Sequence, residues 1–234
     1  MDDPPLASLS LTHVHYNPND PLSHASAWLA LVPQALCITY ATLIWSTREA
    51  EVLLMFGGQM ACEATNWVLK RLIKEERPHI HGKGYGMPSS HAQFVAFFSV
   101  SLTLFLLLRH NPHAPGASST HIPTSVFERL VLSVLVLGGA FAVAQSRIYL
   151  NYHTPKQVLV GCAAGTVFAL VWFGVTTYLR RAGWVEWALD FAVARYFRIR
   201  DLVVNEDLVD AGWERWQQRR QKRSSGDLQA RKRS

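Results

Sequence analysis

The sequence is poor in charged residues and in cysteine. Only 17% of its 234 residues are Asp, Glu, Lys or Arg, whereas 49% are hydrophobic. The three cysteines, Cys37, Cys62 and Cys162, all lie within apolar runs. A cysteine in such a run usually serves as a small buried hydrophobic residue rather than as a disulfide partner or a metal ligand. We therefore expect no disulfide framework.

Several targeting and binding signals are also lacking. The chain contains no Asn-x-Ser/Thr sequon, and its N-terminus, MDDPP, lacks the basic region of a cleavable signal peptide. No nucleic-acid-binding module is evident. The net charge of +6 comes largely from a C-terminal tail containing RRQKR and RKRS, a pattern typical of a cytosolic segment beside lipid headgroups. We expect a membrane partner and no nucleic acid.

The hydrophobic residues occur in long blocks. A membrane-spanning helix needs about 20 mainly apolar residues, and several blocks approach this length. The Gly138-Gly139 pair in one of them is a pattern that allows close helix approach. The fold class predicted is therefore all-α: a polytopic membrane helical bundle of about five spans, at residues 28–45, 52–69, 92–108, 126–144 and 158–179.

Five spans place the two termini on opposite membrane faces. The arginines at positions 48, 109, 180 and 181 share the face of the basic tail, so the positive-inside rule places that face in the cytosol. The aromatic and charged segment after the last span suits an amphipathic helix at the interface. The predicted organisation is a lumenal segment (1–25), a transmembrane domain (26–181), an interfacial helix (182–200) and a basic cytosolic tail (201–234).

The second span carries polar residues at helical spacing. Gln59, Glu63, Asn66 and Lys70 are four, three and four residues apart, which places them on one helical face. A polar stripe in a membrane helix should face the protein interior. For Glu63, a hydrogen-bonded interior residue is the favoured interpretation over a catalytic one. If the helix continues past Lys70, Lys74 and Arg77 lie on the same side, and Pro78 favours its end there.

Polar segments on the face opposite the tail combine cations, hydroxyls and histidines. Ser89 or Ser90 is a natural N-cap of the third span, whose free N–H groups and positive dipole end suit a phosphate oxygen. Each charge-assisted hydrogen bond contributes about 1.5 to 3 kcal/mol. The three segments are Lys70 with Arg77-Pro78, then Pro88-Ser89-Ser90-His91, and then Ser146-Arg147 with His153.

Phosphate hydrolysis without a metal needs a nucleophile, a proton donor and fixed positive charge. Histidine can fill the first two roles, and these segments contain two. Carboxylate clusters typical of a Mg²⁺ site are missing from the loops, since Glu75 and Glu76 are adjacent and would point to different sides of a helix. We interpret the site as metal-free, with no cofactor.

The order and spacing of all three segments resemble the three-part signature of the type 2 phosphatidic acid phosphatase superfamily. The resemblance implies that His153 is the nucleophile and forms a phosphohistidine, and that His91 protonates the leaving group. It implies that the transferring phosphate binds Lys70, Arg77, Ser89, the backbone around Ser90, and Arg147.

Further segments resemble the dolichyl-diphosphatase branch of that superfamily, over about residues 11–200. They are LTHVHYNPND, YGMPSSHAQF and SRIYLNYHTPKQVLVG. This resemblance implies hydrolysis of dolichyl diphosphate, a polyprenyl diphosphate lipid, on the lumenal side of the endoplasmic reticulum membrane, to recycle the carrier for protein N-glycosylation. A phosphatase for lipid phosphate monoesters and a non-catalytic lipid-phosphate binder are the alternatives.

Gln157 departs from the superfamily pattern, which has Asp four residues after the nucleophile. A Gln oxygen can accept the imidazole N–H, but it brings no charge to stabilise an imidazolium. Residues 154–157 also read as a capping box with Pro155 at the first helical position. The two interpretations are not exclusive. Dolichyl-diphosphatases resemble this chain in carrying Gln there.

Overall fold

The computed structural model describes residues 7–9, 14–78, 84–112, 124–207, 213 and 216–222. The chain is predominantly helical, as predicted, and a two-stranded antiparallel sheet precedes the helices. In chain order the elements are β1 (Ala7–Leu9), β2 (Val14–Tyr16), α1 (Pro21–Leu29), α2 (Val32–Thr47), α3 (Ala50–Ile73), α4 (Ser90–Leu104) with a π-helical turn (Phe105–Arg109), α5 (Val126–Tyr149), α6 (Pro155–Arg181), α7 (Trp184–Leu189) and α8 (Ala192–Tyr196).

Four helical segments of the described chain are long and apolar enough to cross a membrane: Pro21–Thr47, Ser90–Arg109, Val126–Tyr149 and Pro155–Arg181. They correspond to four of the five predicted spans. The fifth, α3, has 24 residues but carries charged side chains at both ends and at Glu63. The predicted polytopic helical bundle is thus confirmed, while the count of five is approximate.

Helix α4 lies at the centre of the bundle and packs against α3, α5 and α6. Half of its most apolar stretch is buried, against 17–22% in the other three candidate spans. Large apolar side chains on the outer helices, such as Ile38, Phe127 and Leu159, are instead mostly exposed. Outward-facing apolar surface of this kind suits contact with lipid.

Helix α6 approaches α4 at two glycines. A Cβ atom added to Gly161 would lie 2.7 Å from the main-chain oxygen of Ser89, and one added to Gly165 would lie 2.3 Å from that of Gln93. The sequence-based expectation for Gly138-Gly139 was wrong, because no other group lies within 4 Å of a Cβ built at either residue. Those glycines lie on the exposed face of α5.

The polar stripe of α3 faces the interior, as predicted. Gln59 and Asn66 are buried, and the Asn66 amide donates to Oε1 of Gln93 on α4 at 2.7 Å. The Gln93 amide in turn donates to the carbonyl of Cys62 at 2.9 Å. The cysteines are all free, and Cys62 is fully buried.

Ion pairs join helix ends at the pole of the bundle where α3 begins and where α6 and the π-helical turn after α4 end. The buried carboxylate of Glu51 binds Arg109 and Arg180, both at 2.5 Å, and Arg180 also pairs with Asp201. Glu49 accepts from the main chain of Leu202 at 2.8 Å. Arg109 and Arg180, two of the cations that the positive-inside argument used, therefore lie together at one pole.

Two predicted elements differ from the structure. Helix α3 ends at Ile73 because Lys74 adopts a left-handed conformation (φ 53°), so Arg77 is not on a continuation of α3. The single helix predicted over 182–200 is interrupted after Leu189, where Phe191 is extended, and forms α7 and α8 instead. Its interfacial location stays a prediction. Residues 1–6 and 10–13 of the predicted N-terminal segment, and residues 208–212, 214–215 and 223–234 of the predicted tail, lie outside the described residues.

The α4–α6 contact predicts an effect of adding one methyl group. Gly165→Ala should lower the free energy of unfolding by about 1 to 3 kcal/mol, since the new Cβ must displace the main chain of Gln93. The matched control is Gly174→Ala on the same helix, which meets nothing within 4 Å. It should leave stability unchanged or slightly higher. The check is the melting temperature in detergent, and equal values for the two variants would contradict close packing at Gly165.

Candidate active site

The three predicted segments meet at one pole of the bundle. Lys70 lies in the last turn of α3, and Arg77 follows in an extended loop. Ser89 is the N-cap of α4, which places Ser90 and His91 in its first turn. Arg147 lies in the last turn of α5. His153 lies in the turn between α5 and α6, so every predicted site residue is at this pole.

The imidazole of His153 is fixed by Gln157. His153 Nδ1 lies 3.1 Å from Gln157 Oε1, which also accepts from the main-chain N–H of Thr154 at 3.3 Å. Thr154 completes a capping box at the start of α6. A single amide oxygen therefore serves both interpretations of Gln157 at once. With Nδ1–H donating to this oxygen, the lone pair of Nε2 is left for chemistry.

The amide nitrogen of Gln157 is bound by the loop after α3. It donates to Oε1 of Glu75 at 3.1 Å and to the carbonyl of Glu76 at 2.9 Å. The other oxygen of Glu75 accepts from Lys156 at 3.0 Å. The sequence reasoning considered Glu75 only as a metal ligand and missed this contact, because it treated residues 74–77 as helical. The extended loop brings Glu75 to Gln157.

Gly86 permits this loop to fold against Gln157. Its N–H donates to the carbonyl of Glu75 at 2.7 Å, and an added Cβ would lie 2.8 Å from Oε1 of Gln157 and 2.9 Å from Cγ of Arg77. Any larger residue would push against the amide that orients His153. Gly86 therefore contributes to the site by leaving room for the Gln157 amide, rather than by binding phosphate.

His153 is neutral in this environment. Burial lowers the pKa of His153 to about 4, with the charges of Arg77, Arg147 and Lys70 acting in the same direction and the hydrogen bond that His153 donates to Gln157 opposing them. These interactions also show that three cations lie within electrostatic range of one imidazole. A neutral imidazole among cations is suited to attack an anionic phosphate, because the charge that disfavours its protonation attracts the substrate.

His91 is held by a main-chain acceptor at the junction of α1 and α2. Its Nε2 lies 3.1 Å from the carbonyl oxygen of Ala30, so Nε2–H donates there. His91 also lies within electrostatic range of Arg147 and His153. The first intrahelical hydrogen bond of α4 is donated by Gln93 to Ser89 at 3.0 Å. The preceding N–H groups thus remain for an anion.

Several polar groups here have no hydrogen-bond partner within the described part of the chain. They are Nε and Nη1 of Arg147, Nε of Arg77, and Oγ of Ser89, all buried. The Arg147 guanidinium is stacked on the ring of Tyr152, 4.5 Å from its centroid. Buried donors without acceptors are costly. A bound phosphate would supply the acceptors.

An apolar groove of about 400 Å³ opens beside His91. It is lined by α2, α3 and α4, through Pro33, Gln34, Cys37, Ile38, Met60, Glu63, Ser90, His91 and Phe94. Glu63 faces this groove, and its Oε1 has no hydrogen-bond partner among the described residues. The interior hydrogen bond that the sequence favoured for this atom is therefore not found there.

The N-terminal segment covers the turn that carries His153. Val14 of β2 packs with Leu150 and Tyr152, and the N–H of His15 donates to the Tyr152 hydroxyl at 2.8 Å. This part of the segment forms the short strand β2, Val14–Tyr16.

Known proteins resemble this chain over most of its length. A putative dolichyldiphosphatase of Neurospora crassa is 55% identical over 92% of this chain and 93% of its own. Dolichyldiphosphatase 1 of Homo sapiens is 39% identical over 82% of this chain and 81% of its own. A solved transmembrane PAP2-type phosphatidylglycerolphosphate phosphatase of Bacillus subtilis is 23% identical, with a TM-score of 0.49 over 68% of this chain and 74% of that one.

The model of the PAP2 superfamily matches residues 50–181, more than half of the chain. The matched region begins with α3 and ends with α6, and so contains all three sequence segments. The family that those segments predicted is confirmed: this chain belongs to the PAP2 superfamily.

Proposed function

We propose that this protein is a lipid pyrophosphatase that hydrolyses dolichyl diphosphate to dolichyl phosphate and phosphate. The observation that carries the proposal is the meeting of two histidines with buried arginine nitrogens, which have no hydrogen-bond partner among the described residues, at the end of an apolar groove. The names of the relatives support the choice of substrate, since they are dolichyldiphosphatases with similarity over most of both chains. The mechanism proposed needs neither a metal nor a cofactor.

In the first step, Nε2 of His153 attacks the terminal phosphorus of the diphosphate. A nitrogen–phosphorus bond forms, and the bond from phosphorus to the bridging oxygen breaks. His91 donates a proton to that oxygen, so dolichyl phosphate leaves. Throughout this step, Nδ1–H of His153 stays on Gln157, which keeps the attacking nitrogen unprotonated.

In the second step, water attacks the phosphohistidine. His91, now neutral, takes the proton of the water, the nitrogen–phosphorus bond breaks, and phosphate is released. Lys70, Arg77 and Arg147 bind the phosphate oxygens in both steps, together with Ser89 and the N–H groups around Ser90. Fixed cations of this kind stabilise the charge of the pentacoordinate transition state.

The polyprenyl chain lies in the groove between α2 and α3 in this proposal. The groove is mostly apolar and reaches His91 and Ser90, so a lipid tail there would place its head group at the cations. Its opening on the side of the bundle suits entry from the bilayer. We place the protein in the endoplasmic reticulum membrane with this pole in the lumen and the C-terminal tail in the cytosol, where it recycles the lipid carrier of protein N-glycosylation.

Substrate preference tests the proposed function. Purified protein should release phosphate from dolichyl diphosphate in the presence of EDTA, and at a higher kcat/KM than from dolichyl phosphate or phosphatidate. A preference for phosphatidate would instead identify a monoester phosphatase acting at the same site. Dependence on an added divalent cation would contradict the metal-free mechanism.

The role of His153 predicts a covalent intermediate. Acid-labile, alkali-stable labelled phosphoprotein should be trapped from substrate labelled in its terminal phosphate, and His153→Ala should abolish both the label and turnover. His15→Ala is the control, because this histidine contacts Tyr152 beside the site through its main-chain N–H, which the substitution keeps. Label on the His153→Ala variant would place the nucleophile elsewhere, and no label on an active wild-type protein would exclude a stable phosphohistidine.

The two histidines predict a bell-shaped pH profile. Because the pKa of His153 is lowered to about 4, the imidazole is neutral above that pH, and kcat/KM should fall only as the pH drops toward it. The alkaline limb of kcat should report loss of the His91 proton in the complex with the anionic substrate, and His91→Asn should remove that limb while it lowers kcat. An acid limb at the ordinary histidine value that is independent of the substrate would contradict the buried, cation-flanked state of His153.

A further inference from the structure

We propose that Glu75 is a positioning residue for the nucleophile, which it orients and polarises through the side-chain amide of Gln157. This inference rests on the proposed role of His153. It assigns to the loop after α3 the negative charge that the superfamily usually carries next to the nucleophile. In this protein the charge lies on Glu75, and the side-chain amide of Gln157 separates it from His153.

The contact is a continuous chain of hydrogen bonds. His153 Nδ1 is 3.1 Å from Gln157 Oε1, and Gln157 Nε2 is 3.1 Å from Glu75 Oε1. Gln157 is buried, and Glu75 has a side chain that is 31% exposed. The main chain of Glu75 is fixed as well, by the 2.7 Å hydrogen bond from Gly86 to its carbonyl. The carboxylate is therefore held in place at both its backbone and its side chain.

Glu75 decides which way the amide of Gln157 points. The amide nitrogen has two acceptors, the carboxylate of Glu75 and the carbonyl of Glu76, and neither can donate. A reversed amide would set its oxygen against both acceptors and its nitrogen against the N–H of Thr154. Only the observed orientation presents an oxygen to His153. This oxygen holds the proton on Nδ1 and so leaves Nε2 as the nucleophile.

The carboxylate also affects the chemical step. His153 gains positive charge as it bonds to phosphorus, among three cations that oppose that charge. Hydrogen bonds from Lys156 and Gln157 lower the pKa of Glu75, so it is ionised at neutral pH. A hydrogen-bonded amide polarised by a carboxylate is a better acceptor for the imidazolium N–H. Glu75 thus stabilises the transition state more than the bound substrate.

The competing explanation is that Glu75 only forms a surface ion pair with Lys156. Lys156 has a side chain that is 70% exposed, and exposed pairs contribute little to stability. A structural pair would affect the melting temperature or nothing, but it would not change the ionisation of His153. The two explanations therefore differ in the pH profile.

The test compares Glu75→Gln with Glu76→Gln in full-length protein in detergent, with dolichyl diphosphate as substrate. Both variants remove one negative charge from the same loop, and both retain the main-chain carbonyl that binds Gln157. We expect Glu75→Gln to lower kcat about tenfold with KM changed less than twofold, since the lost interaction acts in the transition state. Glu76→Gln should change either constant less than twofold.

The acid limb of kcat/KM gives the second readout. Without the Glu75 charge the imidazolium of His153 is less stable, so the limb should move to lower pH in Glu75→Gln and stay in place in Glu76→Gln. A limb that arises from ionisation of the substrate would not move in either variant. Equal kcat values and equal acid limbs for the two variants would overturn the proposal.

An exchanged pair provides a rescue. Glu75→Gln combined with Gln157→Glu places the carboxylate directly on His153 and the amide behind it, while the ion pair with Lys156 stays lost. We expect a kcat above that of Glu75→Gln but below that of wild type, since the new carboxylate also faces the Glu76 carbonyl, and an acid limb at higher pH than in wild type. Gln157→Glu alone sets two carboxylates against each other and should be poorly active. We call the hydrogen-bonded chain from Glu75 through Gln157 to His153 the relay. Activity of the exchanged pair no higher than that of Glu75→Gln would contradict the relay.

These experiments distinguish failure of the role proposed for Glu75 from failure of the proposed function. If the wild-type protein hydrolyses dolichyl diphosphate and Glu75→Gln behaves like Glu76→Gln, the function holds and the relay fails. If the wild-type protein prefers phosphatidate, the assigned substrate fails, and the same variants test the relay with phosphatidate instead.

Discussion

The close approach of α6 to α4 determines where the reactive groups lie. Two glycines one helical turn apart let the α6 main chain rest on that of α4, at Ser89 and again at Gln93. The first contact is next to the N-cap of α4, and the N–H of Ser89 donates to the carbonyl of Gln157 at 3.1 Å. The phosphate-binding end of α4 and the residue that orients His153 are thereby joined. Larger residues at these two glycines would push α6 away from α4 and so separate His91, the proposed acid, from the nucleophile His153.

Charge is handled in opposite ways at the two poles of the bundle. At the pole with Glu51, each buried guanidinium of Arg109 and Arg180 has a carboxylate partner. At the site, Arg147 is also buried, but among the described residues it has no carboxylate partner, and its Nε and Nη1 have no hydrogen-bond partner. A buried charge without a partner destabilises a fold. The unmatched charge is consistent with a site whose anion is the substrate, whereas the other pole is closed by the protein itself.

The sequence predicted the helical bundle, and the candidate site residues it named lie together at one pole, because both predictions follow from local patterns. Apolar blocks gave the spans, and the stripe from Gln59 to Lys70 gave the inward face of α3. Spacing within the motifs gave Lys70, Arg77, His91, Arg147 and His153, which the fold brings to one pole. These features depend on periodicity or on short fixed spacing, and neither requires knowledge of which helices touch.

The remainder depended on contacts between distant segments. The sequence favoured Gly138-Gly139 for close packing, yet Gly161 and Gly165 make it, because a glycine pattern does not say which helix face meets a neighbour. Likewise, the left-handed residue Lys74 ends α3 one turn before Arg77. That early end turns Glu75 toward a residue 82 positions later.

The position of Gln157 then has a physical explanation. A carboxylate of the same length there would face the Glu75 carboxylate and the Glu76 carbonyl and would be repelled by both, and an aspartate is one methylene shorter than the side chain that spans this gap. A glutamine presents an oxygen to His153 and a nitrogen to these acceptors, so it satisfies every neighbour at once. Under the relay proposed for Glu75, the Gln157 amide and the Glu75 carboxylate act as a unit. A substitution at one of these residues then requires a matching substitution at the other. The departure from the superfamily pattern at Gln157 is thus the counterpart of an acidic residue at position 75.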